Sequence, residues 1–231
     1  MNLLRKNGFK TKILEAADKL GGVWAWNRYP GARVDCEVPY YGFSDPEIWS
    51  TWLWDERFPS DDRLREYFRH VDDVWKLSKD VFYNTRVTTA SFQDGEDPRW
   101  VIQTADGEMH RCKWLIAATG TSFKQYIPTW EGLDKYKGII GHSSLWPEGI
   151  DMKGKRVAVI GAGSTGVQVV QEGAKVASHL VQFIRTPNLA IPMCQRKISE
   201  EEIMANRQQF PIVFDACRKH VAGLPLMGTG K

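Results

Sequence analysis

The sequence predicts an α/β chain built from two doubly wound, three-layer units, each a parallel sheet with helices on its faces. Three observations carry that prediction. A strand of buried type, Lys155–Ile160, runs directly into Gly161-Ala-Gly163-Ser-Thr-Gly166, then into a helical stretch and a second strand. Near the start, a helix-like tail, Gly8 and a short apolar strand repeat the closing half of the same layout. Between the two, the hydrophobic period switches from 3.6 to 2, so a helix and antiparallel strands intervene. Strand, glycine turn and helix in that order make the Rossmann-like βαβ pattern.

Taken in order, Met1 to Asn7 reads as the last turns of a helix with Gly8 as its C-cap. Lys10–Ala16 alternates and then runs apolar, as a strand entering a buried sheet does. Residues 61–77 carry Leu64, Tyr67, Phe68, Val71 and Val74–Trp75 at helical spacing, which is an amphipathic helix. Strand patterns then cover Val81–Ala90, Arg99–Thr104 and Met109–Ala118, with a turn at Asp106-Gly107. Residues 121–153, looser and dotted with proline and glycine, read as a connector. Past 190, Ser199 followed by Glu202 is a capping box that opens a polar helix, which must end or kink near Pro211. Leu224 to Lys231 carry no period. The expected division is 1–140, a linker at 141–154, a second unit at 155–190, and the start of a helical segment at 191–231.

Composition narrows the function. The chain has 231 residues, and 31 basic against 28 acidic side chains leave a net charge of only +3. No like-charge block or basic-aromatic stripe accompanies it, so nucleic acid is not expected as a partner. Cys36, Cys112, Cys194 and Cys217 lie far apart, with no C-x-x-C and no histidine-rich spacing. They point to a reducing compartment and to neither a metal site nor a disulfide framework, and they leave no redox pair for a disulfide reductase. No apolar run approaches the roughly 20 residues that span a bilayer, and charges interrupt the first residues before a signal-peptide core could form. A soluble, cytoplasmic protein is the expectation. Ten tryptophans, most of them between Trp24 and Trp100 inclusive, suit dense packing or the walls of a site for a flat cofactor.

The glycine run carries the chemistry. Gly161 permits the tight turn, Gly163 lets backbone approach a pyrophosphate, and Gly166 lets helix and strand pack closely. The helix that follows offers free N–H groups and the positive end of its dipole to phosphates. The dinucleotide is read about 20 residues further on, where a carboxylate would bind ribose hydroxyls. Arg185-Thr186 stand there instead. A guanidinium and a hydroxyl suit a 2′-phosphate, so NADPH is the reading; an ordinary surface arginine is the competing one. Glu15 closes the first strand where such a unit places its ribose-binding acid, unless it is merely an exposed acid. Counting back about 20 residues from it puts the matching glycine loop before residue 1. The first unit is therefore expected to lack its first strand and phosphate loop, and the second to be incomplete on its C-terminal side.

The next stretch, Leu20-Gly-Gly-Val-Trp-Ala-Trp-Asn-Arg-Tyr-Pro-Gly-Ala-Arg-Val-Asp35, resembles the Baeyer–Villiger monooxygenases within the flavin-containing monooxygenases. The resemblance continues through Tyr41, the Trp52/Trp54 region, Asn84-Thr-Arg-Val87 and Ala118-Thr-Gly120. It reaches Tyr136-x-Gly138-x-x-x-His142-x-x-x-Trp146-Pro147, which is similar to that family's F-x-G-x-x-x-H-x-x-x-W-P with tyrosine in the first place. The closing Trp-Pro favours the Baeyer–Villiger branch over relatives that oxidise nitrogen or sulfur. The resemblance implies that the first unit binds FAD and the second NADP(H). It places Glu15 on the FAD ribose and Val23, Trp24 and Trp26 along the flavin, with Gly22, Tyr41, Val87 and Gly120 completing the FAD contacts. It places Asp35 and Arg33 where FAD and nicotinamide meet, and Gly161, Gly163, Ser164, Thr165, Gly166 and Gln168 on the NADPH pyrophosphate. Arg185 and Thr186 take the 2′-phosphate. His142 and Trp146 resemble linker residues that couple NADPH binding to domain movement, against a plain structural role for His142.

The implied reaction takes hydride from NADPH to FAD and O₂ to a flavin C4a-peroxide, which attacks a ketone to give an ester or lactone. Asp35 would orient the family's catalytic arginine, which lies downstream of Lys231 on this reading and has no substitute within the chain. A polypeptide missing those parts is expected to be poorly stable alone and to hold FAD weakly. A catalytically incomplete NADP(H)-binding fragment and a nitrogen- or sulfur-oxidising enzyme are the alternatives.

Overall fold

The computed structural model describes residues 1–122, 124–221 and 223–224. Helix α1 (Asn2–Lys6) ends at Asn7, and Gly8 follows at φ +81°, the left-handed turn-out expected of glycine there. Strand β1 (Ile13–Leu14) runs parallel to β2 (Val81–Phe82), with Ile13 opposite Val81. Both are shorter than the predicted runs. Beyond β1 the backbone of Glu15 donates to the Phe82 carbonyl and accepts from Thr85 N–H. Asn84, at φ +54°, then breaks the predicted 81–90 strand in two; asparagine tolerates that conformation better than most residues.

After the break, β3 (Val87–Gln93), β4 (Arg99–Thr104) and β5 (Met109–Cys112) form an antiparallel meander, with Gly107 at φ +90° in its second turn. Strand β5 stops six residues before the predicted Ala118. Cys112 pairs with Trp100, and β4 itself begins at Arg99, so the chain beyond Cys112 has run out of neighbouring strand. Trp114 and Ile116 are accordingly exposed. A strand of buried type forms only where a partner accepts its backbone groups.

The second βαβ unit forms as the sequence predicts. Strand β6 (Arg156–Ile160), helix α5 (Ser164–Val176) and β7 (His179–Phe183) follow one another, and the two strands pair in parallel from Arg156–His179 to Ile160–Phe183. Val157, Val159 and Leu180 alternate toward α5, while Ile160 and Phe183 remain exposed on the other side.

Two apolar clusters hold these pieces. In the first, Leu64, Tyr67 and Val71 of α4 (Asp61–Trp75) pack with Trp24, Val34, Ile48 and Trp54. Short helices α2 (Val23–Trp26) and α3 (Pro46–Trp49) contribute to it, the latter capped by Asp45, which accepts from Glu47 N–H at 3.0 Å. Tyr67 is buried, and its hydroxyl accepts the Phe43 N–H at 2.7 Å; burial pushes its phenol well above the usual tyrosine range. The second cluster joins Tyr29 and Ala32 to Met152 and to Val169 of α5. Residues 29–32 therefore lie directly on the helix that follows the glycine loop.

Past β7 the chain returns to the first cluster. Arg57 N–H donates to the Arg196 carbonyl and Ile198 N–H to that of Asp55, an antiparallel pairing that aligns Glu56 with Lys197. Helix α6 (Glu200–Arg207) opens on Ser199, whose Oγ accepts Glu202 N–H at 3.2 Å. Only one arm of the expected capping box forms, because the Glu202 carboxylate turns to the Arg196 guanidinium at 2.6 and 2.7 Å. The helix breaks at Gln208–Gln209, and α7 (Phe210–Lys219) restarts with Pro211 in its first turn, as the sequence predicts. Of the last eight residues only Leu224 is described. Among the described residues no helix is long and apolar enough to cross a membrane.

Candidate nucleotide-binding site

The glycine loop continues the β6–β7 ladder before turning. Gly161 N–H donates to the Phe183 carbonyl at 3.0 Å, and the Gly161 carbonyl accepts from Gln182 Nε2 at 2.9 Å. Gly161 then takes φ +115°, open to glycine alone at little cost. A Cβ at Gly166 would lie 2.5 Å from that same carbonyl oxygen, so the first turn of α5 closes tightly over the loop. At Gly163 a Cβ would meet nothing within 4 Å. This face of the loop is open, as approach by a phosphate requires. Close packing of helix on strand falls further along, at Gly173, whose Cβ would stand 2.7 Å from Leu180 Cδ1. No side chain caps α5 and no acid sits in its first turn; the first N–H to bond back is that of Val167, to the Gly163 carbonyl. Three donors and the helix dipole are thus left facing outward.

The segment 29–35 lies against this end of α5. The Tyr29 hydroxyl donates to Gln168 Oε1 at 2.9 Å and accepts from Thr165 Oγ1 at 3.3 Å. Gln168 Nε2 donates to the Arg33 carbonyl at 3.0 Å, and Ser164 Oγ lies 3.4 Å from Asp35 Oδ2. Tyr29 and Gln168 are both buried, and burial raises the Tyr29 phenol, which therefore stays a neutral donor. Both ends of the Gln168 amide are thus engaged within the protein. Between these contacts sits Gly31, at φ +83°, where a Cβ would fall 2.7 Å from Glu172 Cγ and 3.0 Å from the Gln168 carbonyl. Asp35 is exposed, and the partly buried Arg33 reaches the Phe58 carbonyl through Nη1 at 3.4 Å.

The remaining predicted residues fall into smaller groups. Glu15 directly follows β1, and its Oε1 accepts the Ala17 N–H at 2.8 Å. Gly22, at φ +54°, opens α2, and Trp24 Nε1 donates to the Tyr41 hydroxyl at 2.7 Å. Val23 and Trp26, on the same helix, are exposed. Val87 lies on exposed β3, and Gly120 takes φ +70° in the exposed run after β5. His142 Nδ1 accepts the Ser144 N–H at 3.2 Å, which puts the proton of the neutral ring on Nε2. Trp146 packs against the cluster of Tyr29, Ala32, Met152 and Val169. Arg185 and Thr186 are exposed just past β7. Because Ile160 and Phe183 are paired, the glycine loop and this Arg-Thr pair leave the same carboxyl edge of adjacent strands, the edge at which sheets of this kind bind ligands.

Tyr29, Gly31 and Gln182 shape this site without standing out in the sequence. The signal for the first two was the Tyr-Pro-Gly step itself. For Gln182 it was one polar residue on the helix-facing side of an apolar strand.

Comparison with known proteins fits this geometry. Residues 5–198 match the model of the flavin-binding monooxygenase-like family. The chain belongs to that family. Its curated members include an FAD-binding monooxygenase of Aspergillus aculeatus, 46% identical over 95% of this chain and 37% of that protein. The cyclopentanone 1,2-monooxygenase of a Comamonas species is 41% identical over 95% of this chain and 40% of its own length. A crystal structure of OTEMO in complex with FAD and NADP superposes with a TM-score of 0.90 at 35% identity, over 97% of this chain and 43% of that one. The α/β architecture is therefore the family's, and the chain spans about two fifths of the length of these relatives.

Proposed function

We propose that this chain carries the NADPH-binding loop and part of the FAD-binding side of a Baeyer–Villiger monooxygenase, which converts a small ketone and O₂ to an ester or lactone. The observation that carries the reading is the open, uncapped glycine loop at the head of α5, with Arg185 and Thr186 on the same sheet edge. The residues present suit the cofactors. Open space at Gly163 and three outward N–H groups fit a pyrophosphate, and the guanidinium of Arg185 with the Thr186 hydroxyl fits a 2′-phosphate. On the other side Glu15 offers a carboxylate at a strand end for a ribose, and the Trp24–Tyr41 pair with exposed Val23 and Trp26 offers a wall to a flat ring.

When bound, NADPH would supply hydride to FAD, and reduced FAD would supply the electrons that activate O₂. The protein's own part is positional. The α5 N-terminus fixes the phosphates, and Asp35, next to Ser164, is the carboxylate available at the loop to orient a cation toward developing negative charge. The Tyr136–Pro147 run, anchored through Trp146, favours the ketone-oxidising branch. Residues 1–140 form the FAD side and 155–190 the NADP side, with 141–154 between them. All four cysteines are unpaired, which supports a cytoplasmic setting.

The test is to titrate the chain with NADP⁺ and NAD⁺, then to follow NADPH oxidation with added FAD, with and without a cyclic ketone. NADP⁺ should bind about tenfold to a hundredfold more tightly than NAD⁺, and Arg185→Ala should abolish that preference. Equal affinity for the two nucleotides would overturn the NADPH reading. Binding without ketone-dependent turnover would leave a nucleotide-binding module only.

A further inference from the structure

We infer that Gln168 and Tyr29 are positioning residues that make Arg33 and Asp35 move as one body with the glycine loop, so that NADP(H) binding sets where those two side chains stand. The inference rests on the proposed nucleotide site and goes beyond it. Gln168 lies one turn into α5, and its amide oxygen and nitrogen each make a hydrogen bond to the segment 29–33. The amide orientation is fixed by its partners. Tyr29, accepting from Thr165, has its proton free for Gln168 Oε1, while the Arg33 carbonyl can only accept, so it must face the amide nitrogen. A flipped amide would set two oxygens against each other at the Arg33 end. The bond to Tyr29 is buried and that to the Arg33 carbonyl partly so, and leaving a buried partner unmade is costly.

The contact is stiff as well as polar. Gly31 packs so closely on the α5 backbone and Glu172 that no side chain would fit between the segment and the helix. Ala32 and Val169 close the same interface from the apolar side. Asp35 touches the loop once more, through Ser164. Phosphates bound by the α5 N-terminus would thus act on Arg33 and Asp35 through Gln168 and Tyr29. That is coupling through one discrete, packed element, the kind that can carry energy between sites.

Hydrogen exchange of the whole chain, followed by mass spectrometry with and without NADP⁺, tests it. In the natural sequence, NADP⁺ should slow exchange both in the loop, 161–167, and in 30–36, the latter by about fivefold or more. In Gln168→Met, which keeps the volume and removes both bonds, protection of 30–36 should be lost at NADP⁺ concentrations that still saturate the loop, as read from protection of 161–167. Tyr29→Phe should lose part of it, and the double variant should be no worse than Gln168→Met, because both act on one network. Exchange without nucleotide serves as the control for folding, and Tyr29→Phe carries the test if Gln168→Met unfolds. Protection of 30–36 that survives in both variants, or that is absent from the natural sequence while the loop is protected, would overturn the coupling. Absence of protection at the loop itself would instead sink the nucleotide site, and the coupling with it.

Discussion

At the scale of single residues, Gly163 and Gly166 do different things, and substitution separates them. Gly163→Ala places a methyl group in open space at an ordinary φ of −75°. It should leave stability within about 0.5 kcal/mol while weakening NADP⁺ binding, because the methyl occupies the face that a phosphate must approach. Gly166→Ala drives a methyl to 2.5 Å from a backbone carbonyl that cannot step aside. It should lower stability by about 1–3 kcal/mol as well as binding. Thermal melts and nucleotide titrations on the pair decide the matter; identical behaviour of the two variants would contradict it. Tyr67 offers an independent check far from the loop. Tyr67→Phe removes the partner of the part-buried Phe43 N–H beside the first apolar cluster, so urea unfolding should show a loss of about 1 kcal/mol.

At the scale of elements, periodic segments were legible and partner-dependent ones were not. Helix α4 and strands β4 and β6 lie within a residue or two of their predicted bounds, because amphipathic or buried spacing is written locally. The run after Cys112 has the composition of a buried strand, yet strand formation needs a neighbour, and no local pattern reports whether one is present. The same limit hid the roles of Tyr29 and Gln168. They are 139 residues apart, and their hydrogen bond exists only once the fold is made. The strand, turn and helix around the glycine loop were readable because they are contiguous, although the close helix–strand packing expected at Gly166 falls at Gly173.

The pairing of 55–58 with 195–198 belongs to this scale too, and it carries a pH dependence. Burial alone would raise Asp55 and Glu56. Arg63 and Lys197 nonetheless hold Asp55 below the usual carboxylate range, and the Ser60 N–H with Lys197 does the same for Glu56. A depressed carboxylate contributes stability that is present above its unfolded pKa, about 4, and lost as pH falls through the lower folded value. These groups are partly exposed, so the total is modest, no more than about 1 kcal/mol for each pair. Acidification from neutral pH to about pH 3 should therefore raise protease sensitivity at 195–198 before α4 unfolds. Equal sensitivity of the two regions across that range would count against the assignment.

At the scale of the whole molecule, the described residues form three small sheets of two, three and two strands that share no common ladder. Side-chain clusters and loop pairings join them instead. Ile160 and Phe183 leave one face of the β6–β7 sheet apolar and open, which should show as binding of a hydrophobic dye to the natural chain and less of it to Phe183→Ser. The return of the chain from β7 to residues 55–58 has a further consequence. Between those two fixed points, Leu189 and Ile191 are almost fully exposed. A brief thermolysin digest should cut there first. The two pieces should still co-purify, because the antiparallel pairing, the bond from Arg207 Nη2 to the Trp52 carbonyl at 2.8 Å and the packing of Phe210 on Trp49 all span the cut. The covalent link at 187–194 is then dispensable. A gene divided at that point and expressed as two open reading frames should reassemble, and a foreign domain inserted there should leave both halves in place.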